Sequence, residues 1–296
     1  MKRKDRLGIV PTIVIVGETA SGKSRLAMQI AQHIDADILC ADATTVYRGL
    51  DIGSAKPTAA EREEVTHFGL DIAGPDSRFT AADYKAYADA VLQAQVAAGR
   101  PTVVVGGSGL YIDSVLYDYS FGEPENLEDA DAYEGMDTQQ LRALVLERFG
   151  QEILEQIDSQ NPRRLISLLR RGGLQPTKQP LRADTWVIGL QVERSELERR
   201  IEDRVDAMIL AGLEEEVRGL AGAVGWGVPA MQAVGYREFR EYFEGGRSLA
   251  EVRERIVIHT RQLAKKQRTW FGRNPDIAWV SAPEKAVDLV TTILQN

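Results

Sequence analysis

The chain has 296 residues, a formal net charge of −8, and 44% hydrophobic and 27% charged residues. These fractions are ordinary for a folded protein with a sizeable core, and they exclude an intrinsically disordered chain. The acidic balance excludes a surface that binds nucleic acid everywhere, although a local basic patch remains possible.

The cysteine count and the amino-terminal pattern bear on the compartment. The single cysteine, Cys40, excludes an internal disulfide bond and suits a reducing compartment. The start resembles a signal peptide, with a basic head and an apolar run, but the run continues into a phosphate-binding motif without a small-residue cleavage site. No apolar run approaches the ~20 residues that a membrane-spanning helix needs. We therefore expect a cytoplasmic protein without membrane contact.

The motif after the first apolar run is typical of phosphate binding. Thr12–Val16 is a β-branched run that favours a buried strand, and it leads into Gly-Glu-Thr-Ala-Ser-Gly-Lys-Ser at positions 17–24. This stretch fits G-x-x-x-x-G-K-[ST], in which backbone N–H groups surround phosphates and the lysine neutralises them. Apolar residues at helical spacing follow from Leu26 to Ile34, which supplies the strand–loop–helix context. Lys23 is expected to contact phosphate oxygens, and Ser24 to lie near Mg²⁺.

Strand and helix patterns alternate through much of the remaining chain. Further strands are predicted at Asp37–Asp42, Leu70–Ile72, Thr102–Val105, Trp186–Leu190 and Ile277–Val280, and a helix at 80–98. This alternation predicts an α/β fold with a P-loop NTPase-like parallel sheet and flanking helices, whose ligands bind at the carboxyl ends of the strands.

The pattern changes to helices alone between 120 and 184, with segments at about 137–149, 151–158 and 162–171. We expect an α/β core at 1–119 and 185–296, with a helical insertion domain at 120–184. The carboxyl-terminal part of the core is also largely helical, with helices predicted at about 194–220, 230–243, 248–271 and 283–295.

Two polar residues are predicted at the same sheet edge as the phosphate loop. Asp42 ends the second strand, where a carboxylate can serve as metal ligand, general base or helix cap. Ser108 lies in the glycine turn Gly106–Gly109, where it could meet a substrate or, equally, cap a helix. An ATPase or kinase would normally end a later strand in an aspartate that holds Mg²⁺, and a GTPase would show Asn-Lys-x-Asp; both are missing. The loop is therefore expected to hold a diphosphate without ordinary nucleotide hydrolysis.

Basic residues concentrate near the carboxyl terminus. Arg261, Lys265 and Arg268 recur at i, i+4 and i+7 and share one helix face. A solvated face is the usual explanation, but in an acidic protein such local positive charge also indicates contact with nucleic acid or a diphosphate. Arg163-Arg164 and Arg170-Arg171 form a second patch. The three histidines are scattered, and no Cys/His spacing indicates zinc.

Five ordered blocks of the chain resemble the tRNA dimethylallyltransferase family, also called tRNA isopentenyltransferase. Gly17–Ser24 is similar to G-P-T-A-S-G-K-[ST], Tyr47–Pro57 to Y-R-G-M-D-I-G-T-A-K-P, Gly106–Tyr111 to G-G-T-G-L-Y, Ala230–Glu238 to A-M-Q-x-I-G-Y-K-E, and Thr260–Trp270 to T-R-Q-x-A-K-R-Q-x-T-W. The resemblance covers most of the chain. It implies transfer of a dimethylallyl group from dimethylallyl diphosphate to N6 of adenine 37, which lies 3′ of the anticodon in tRNA.

The resemblance also implies roles for individual residues. Asp42 would accept the N6 proton, Ser108 would place the amine, and Lys23 and Arg261 would stabilise charge on the departing diphosphate. The implied diphosphate contacts are Gly17, Glu18, Thr19, Ala20, Ser21, Gly22, Lys23 and Ser24. The implied tRNA contacts are Asp42, Ala43, Thr44, Thr45, Arg163, Arg164, Ser167, Lys265 and Arg268. Because a carboxylate repels anions, the side chain of Glu18 is expected to point away from the ligand. Mg²⁺ is the implied cofactor, the tRNA anticodon arm the implied partner, and a monomer is expected.

The departures from the family pattern fall on the side that reads RNA. The family's D-S-x-Q reads Asp42-Ala43-Thr44-Thr45, and its Q-R-x-x-R keeps only Arg164 in register. Transfer to a free adenine nucleotide, as by an adenylate isopentenyltransferase, is therefore an alternative. A small-molecule kinase of the phosphate-loop class and an RNA-binding protein without catalysis are two others. The basic helix and the insertion favour tRNA.

Overall fold

A computed structural model gives the structure of residues 10–121, 132–133 and 135–295. The chain divides into two compact units, Met1–Leu116 with Leu181–Asn296, and Tyr117–Pro180. The sequence pattern predicts the helical insertion at 120–184, three residues later at its start and four residues later at its end than the second unit.

Within the described residues, six parallel strands form one sheet in the order β3-β2-β4-β1-β5-β6. The strands are β1 (Thr12–Gly17), β2 (Asp37–Ala41), β3 (His67–Phe68), β4 (Thr102–Gly106), β5 (Thr185–Leu190) and β6 (Ile277–Val280). The predicted α/β fold with a parallel sheet is confirmed. The order reverses between β1 and β4, so the segments that follow these strands diverge and leave a crevice at the carboxyl edge of the sheet.

Helices connect the strands. They are α1 (Lys23–Ile34), α2 (Ala59–Glu64), α3 (Ala81–Ala97), α4 (Gly109–Leu116), α5 (Thr138–Glu155), α6 (Pro162–Arg170), α7 (Arg194–Leu210), α8 (Leu213–Val224), α9 (Arg240–Phe243), α10 (Leu249–Phe271) and α11 (Pro283–Gln295). Short 3-10 helices lie at Pro229–Gln232 and Arg237–Phe239. The longest helix, α10, begins with a capping box between Ser248 and Glu251, which satisfies otherwise unpaired N–H groups of its first turn.

The core of the first unit is a hydrophobic layer between the sheet and α1. Ile13 and Ile15 of β1 and Val103 of β4 are buried against Leu26 and Ile30 of α1. Burial of each of these side chains contributes about 1.5–3 kcal/mol to the free energy of folding. This packing fixes the amino terminus of α1 directly beyond the end of β1, at the carboxyl edge of the sheet.

The second unit has a small core of its own, in which Leu141 and Val145 of α5 pack with Leu165 and Leu168 of α6. The helical path of α5 breaks at Gly150, where φ is 83° and ψ is 173°. Only glycine adopts such a conformation without strain, which explains why the sequence pattern shows two helices here.

The prediction of a third strand at Leu70–Ile72 is wrong, since β3 occupies His67–Phe68. Gly69 and Asp71 both have positive φ, of 80° and 57°, so the predicted segment cannot extend alongside β2. The single helix predicted at 194–220 is also divided, because Gly212 has a φ of 97° between α7 and α8.

In the part of the chain that the structure describes, no helix is both long and apolar enough to cross a membrane.

Candidate active site

The phosphate loop connects β1 to α1 and leaves helix N–H groups available. Ala20 and Gly22 have φ values of 62° and 92°, which turn the chain sharply into the helix. Gly22, at the amino-terminal cap of α1, supplies no side-chain hydrogen bond. The first N–H groups of an uncapped helix point outward and carry a partial positive charge, and this arrangement binds phosphate.

Lys23 is a cation held in a poorly solvated position. Its Nζ donates to the carbonyl oxygen of Glu18 at 3.2 Å. Burial, together with the nearby charge of Arg204, lowers the pKa of Lys23 to about 8, although the carboxylates of Asp42 and Glu18 oppose this shift. At neutral pH the ammonium group therefore stays mostly charged while it lacks full hydration, a state that an anionic ligand would stabilise.

The same loop contains a buried hydroxyl group. Ser21 is 2% exposed, and among the described residues none forms a hydrogen bond with its Oγ. Buried polar atoms without partners are rare in folded proteins, so this one points to a polar ligand in the loop.

The loop also fits a magnesium ion. Ser24 is exposed in the first turn of α1, and a hydroxyl oxygen is a suitable ligand for Mg²⁺. The described residues contain no group of three or more His, Cys, Asp or Glu side chains that could hold a metal ion. An ion at Ser24 would therefore be held together with substrate phosphate oxygens and water, the usual arrangement for Mg²⁺.

A cleft of about 560 Å³ opens over the start of α1, and arginines of α7 line it. Arg200 Nη1 donates to the carbonyl oxygen of Ser21 at 3.2 Å, and Arg204 Nη2 lies 3.5 Å from the carbonyl oxygen of Ser54. Burial lowers the pKa of Arg204, but a guanidinium group remains charged at any physiological pH. Together with Lys23, these arginines form a cationic cluster of the kind that can hold a diphosphate.

Sequence reasoning missed Arg200 and Arg204. Arginines on a charged helix commonly pair with carboxylates one turn away, as Arg200 does with Glu196. The sequence therefore does not distinguish an arginine in a surface ion pair from one that lines a ligand cleft. Only the packing of α7 beside the phosphate loop makes this distinction.

Arg261 is placed differently from the expectation. Its Nη2 pairs with Glu202 Oε1 at 2.5 Å, and it is not among the described residues that line the cleft. Arg204, by contrast, lines the cleft together with Lys23.

Asp42 and Ser108 lie on neighbouring strand ends. The hydroxyl of Ser108 accepts a hydrogen bond of 2.8 Å from the backbone N–H of Ala43, and Ser108 N donates to Ala41 O at 3.3 Å. Asp42 Oδ1 accepts from Thr44 N at 2.8 Å. No hydrogen bond reaches Oδ2 of Asp42 from any residue in the described ranges. One carboxylate oxygen therefore orders the turn and the other is available to a substrate.

The end of α10 packs against both loops. Gln267 is buried; its Oε1 accepts from Thr19 N at 2.7 Å, and its Nε2 donates to Gly107 O at 3.0 Å. The Gln267 side chain lies so close to the backbone of Gly107 that a Cβ there would be 2.2 Å from Gln267 Nε2, which explains why this position is a glycine. Gln267 thus joins the phosphate loop to the turn that carries Ser108, a role that no local sequence signal reveals.

The residues implied for tRNA contact differ in accessibility. Ala43 and Lys265 are exposed, and Thr44 is half-buried. Thr45 is buried, and its hydroxyl donates to the carbonyl oxygen of Asp42 at 3.4 Å, so it supports the turn. In the second unit, Arg163 and Arg164 are exposed and Ser167 is half-buried on α6.

The chain is similar in sequence and in fold to known proteins of one family. Residues 45–274 match the family model described as IPP transferase. A tRNA dimethylallyltransferase 1 of Pelobacter propionicus is 38% identical over 92% of this chain and 93% of its own. The crystal structure of a full-length tRNA isopentenylpyrophosphate transferase from Bacillus halodurans has a TM-score of 0.75 at 28% identity, covering 96% of this chain and 97% of its own. A eukaryotic dimethylallyltransferase acting on tRNA has a TM-score of 0.84 over 97% of this chain and 80% of its own; at 22% identity it supports the fold alone.

Proposed function

Because this chain belongs to the IPP transferase family, we infer that it is a prenyltransferase that transfers a dimethylallyl group from dimethylallyl diphosphate to tRNA. The observation that carries this reading is the juxtaposition at one sheet edge of a cationic phosphate loop and the Asp42–Ser108 pair. The first can hold a diphosphate leaving group, and the second can receive a nucleophile.

We further propose that the acceptor is N6 of the adenine 3′ of the anticodon. The lone pair of N6 forms a bond to C1 of the prenyl group while the bond from C1 to the diphosphate oxygen breaks, and its electron pair leaves with diphosphate. The N6 proton passes to Asp42, whose Oδ2 is available to receive it. Since Ser108 Oγ already accepts from Ala43 N, its own proton remains available to orient the adenine.

Charge develops on the departing diphosphate, and fixed cations and N–H groups stabilise it most effectively. In this proposal the N–H groups at the start of α1, the ammonium of Lys23 and the guanidinium groups of Arg200 and Arg204 surround the leaving group. Mg²⁺, held by Ser24 and by diphosphate oxygens, would neutralise further negative charge.

The acceptor side is proposed to contact the anticodon arm. The proposed contacts are Ala43, Thr44 and Lys265, which are exposed or half-buried in the first unit, and Arg163 and Arg164, which are exposed in the second. An adenine must leave the base stack of its loop to reach a site beside Asp42, as in other base-modifying enzymes. We propose that a monomer suffices, because Asp42, Ser108 and the phosphate loop come from one chain, and that the enzyme acts in the cytoplasm, where tRNA is processed.

A competition assay tests this function. Labelled dimethylallyl diphosphate and Mg²⁺ are offered to the enzyme with unmodified tRNA, AMP and ATP as acceptors. The tRNA carries adenines at the last anticodon position and at the next one, and a matched transcript replaces the second adenine with guanine. We expect label in the first transcript and none in the second.

Label in AMP or ATP alone would identify an adenylate prenyltransferase and would overturn the tRNA assignment. An Asp42→Asn variant serves as the control for chemistry. It should lose transfer while it still binds inorganic pyrophosphate, whereas a protein that only binds RNA would show no transfer in either form.

A further inference from the structure

A carboxylate lies inside the phosphate loop. Glu18 follows the last residue of β1 and is only 6% exposed. Its own carbonyl oxygen accepts from Lys23 Nζ at 3.2 Å and from Ser21 N at 3.2 Å. A buried negative charge in a loop that binds a diphosphate would weaken binding unless a cation neutralised it.

Arg268 of α10 supplies that cation. Its Nη2 lies 2.8 Å from Glu18 Oε1, and the arginine side chain is 50% exposed whereas the glutamate side chain is 8% exposed. The contact is an ion pair without the geometry of a hydrogen bond, since Glu18 Oε1 is buried and accepts none within the described ranges. Charge neutralisation is therefore its main effect.

Neighbouring contacts fix the position of Arg268. Gln267 hydrogen-bonds Thr19 N and Gly107 O, and Trp270 Nε1 donates to Asp113 Oδ2 at 2.9 Å. These anchors on both sides hold the last turns of α10 against the phosphate loop and α4. Arg268 therefore reaches Glu18 from a fixed backbone.

We propose that Arg268 is a positioning residue of the diphosphate site. It neutralises the charge of Glu18 and keeps that carboxylate turned away from the ligand. The basic face of α10 therefore serves diphosphate binding as well as any contact with RNA. This proposal rests on the proposed function of the phosphate loop as a diphosphate site. It assigns Arg268 a task that does not require RNA, which separates it from a residue that only contacts tRNA.

Isothermal titration with inorganic pyrophosphate and Mg²⁺ at pH 8, in the absence of tRNA, tests the proposal. We expect Arg268→Gln to raise the dissociation constant for pyrophosphate by about tenfold, because one uncompensated charge then faces the anion. The double variant Glu18→Gln with Arg268→Gln should return to within about threefold of the wild-type protein. Lys266→Gln removes an exposed cation from the same helix and is the matched control; it should leave the constant unchanged.

The outcomes separate the possible roles. If Arg268→Gln leaves pyrophosphate affinity unchanged and weakens only tRNA binding, Arg268 is an RNA contact and the proposal fails. If the double variant does not recover, Arg268 acts on the ligand directly, and the proposal also fails. Thermal melting of each variant shows whether the loop remains folded. Failure of the proposed function would appear differently. The wild-type protein and its variants would show the expected order of pyrophosphate affinities, but the wild-type protein would transfer no prenyl group to tRNA.

Discussion

The hydroxyl of Ser108 accepts a hydrogen bond of 2.8 Å from the backbone N–H of Ala43. Ser108 follows β4 and Ala43 follows β2, and these two strands are neighbours in the sheet. The bond therefore ties together the turns that carry Asp42 and Ser108, so a change in one alters the geometry of the other.

Replacing Ser108 with alanine should slow the chemical step. The variant loses both the tie to Ala43 and the hydroxyl that orients the adenine, and we expect kcat to fall by about tenfold or more. Ser108→Thr keeps the hydroxyl and should stay within a few-fold of the wild-type rate. Steady-state kinetics with tRNA measures this, and equal losses in the alanine and threonine variants would contradict a role for the hydroxyl. Pyrophosphate affinity should not change in either variant.

Replacing Gln267 with methionine should separate the phosphate loop from the Ser108 turn. Methionine has a similar size but cannot bond to Thr19 N or Gly107 O, and both buried groups would be left unpaired. Since each such loss costs about 1–3 kcal/mol, we expect kcat/KM to fall by about tenfold or more. Gln262→Met, at an exposed position of the same helix, is the control. An unchanged kcat/KM for the Gln267 variant would show that the bridge has no part in catalysis.

Arg204→Gln should weaken diphosphate binding more than Arg261→Gln does. Arg204 lines the cleft, whereas Arg261 pairs with Glu202 outside it. Hydrogen bonds to charged groups contribute about 1.5–3 kcal/mol, so the dissociation constant for pyrophosphate should rise by about tenfold or more in the first variant. Calorimetric titration of both proteins gives the comparison. A larger effect at Arg261 would instead support the role that the family resemblance implied for it.

Pyrophosphate affinity should decrease as the pH rises through about 8. The pKa of Lys23 is lowered to about 8 by burial, so above this pH the free protein progressively loses the ammonium charge. A bound diphosphate favours the charged form and raises this pKa, so binding above pH 8 requires proton uptake and becomes weaker. Lys23→Arg keeps its charge at every pH in this range, so its affinity should lack this decrease between pH 7 and 9. Parallel profiles for the two proteins would exclude Lys23 as the titrating group.

Gly106→Ala should destabilise the sheet edge. A Cβ at Gly106 would lie 1.9 Å from the carbonyl oxygen of Ala41, so β2 and β4 would have to separate. We expect the free energy of unfolding to fall by about 3 kcal/mol or more. At Gly219 in α8, a Cβ would meet no described atom within 4 Å apart from the nearby backbone of its own helix, and Gly219→Ala should stabilise the protein by about 0.5–1 kcal/mol. Chemical denaturation of both variants tests the contrast.

The sequence alone determined the parts of this protein that depend on neighbouring residues. The phosphate loop between β1 and α1 is specified by a contiguous stretch, in which glycines, lysine and serine fix the turn and the helix start. The buried strands follow from short β-branched runs, and the break at Gly150 follows from the conformational freedom of glycine. The third strand was misplaced because positive φ values at Gly69 and Asp71, which the composition of the segment does not reveal, interrupt its extended path.

Only the tertiary structure decided which distant side chains complete the site. Arg204 reaches the cleft because α7 packs beside the phosphate loop, and Gln267 and Arg268 reach Thr19 and Glu18 because the end of α10 lies across the sheet edge. Each of these contacts joins residues far apart in the chain. Their energies depend on distance and burial in the folded state, quantities that local spacing does not contain.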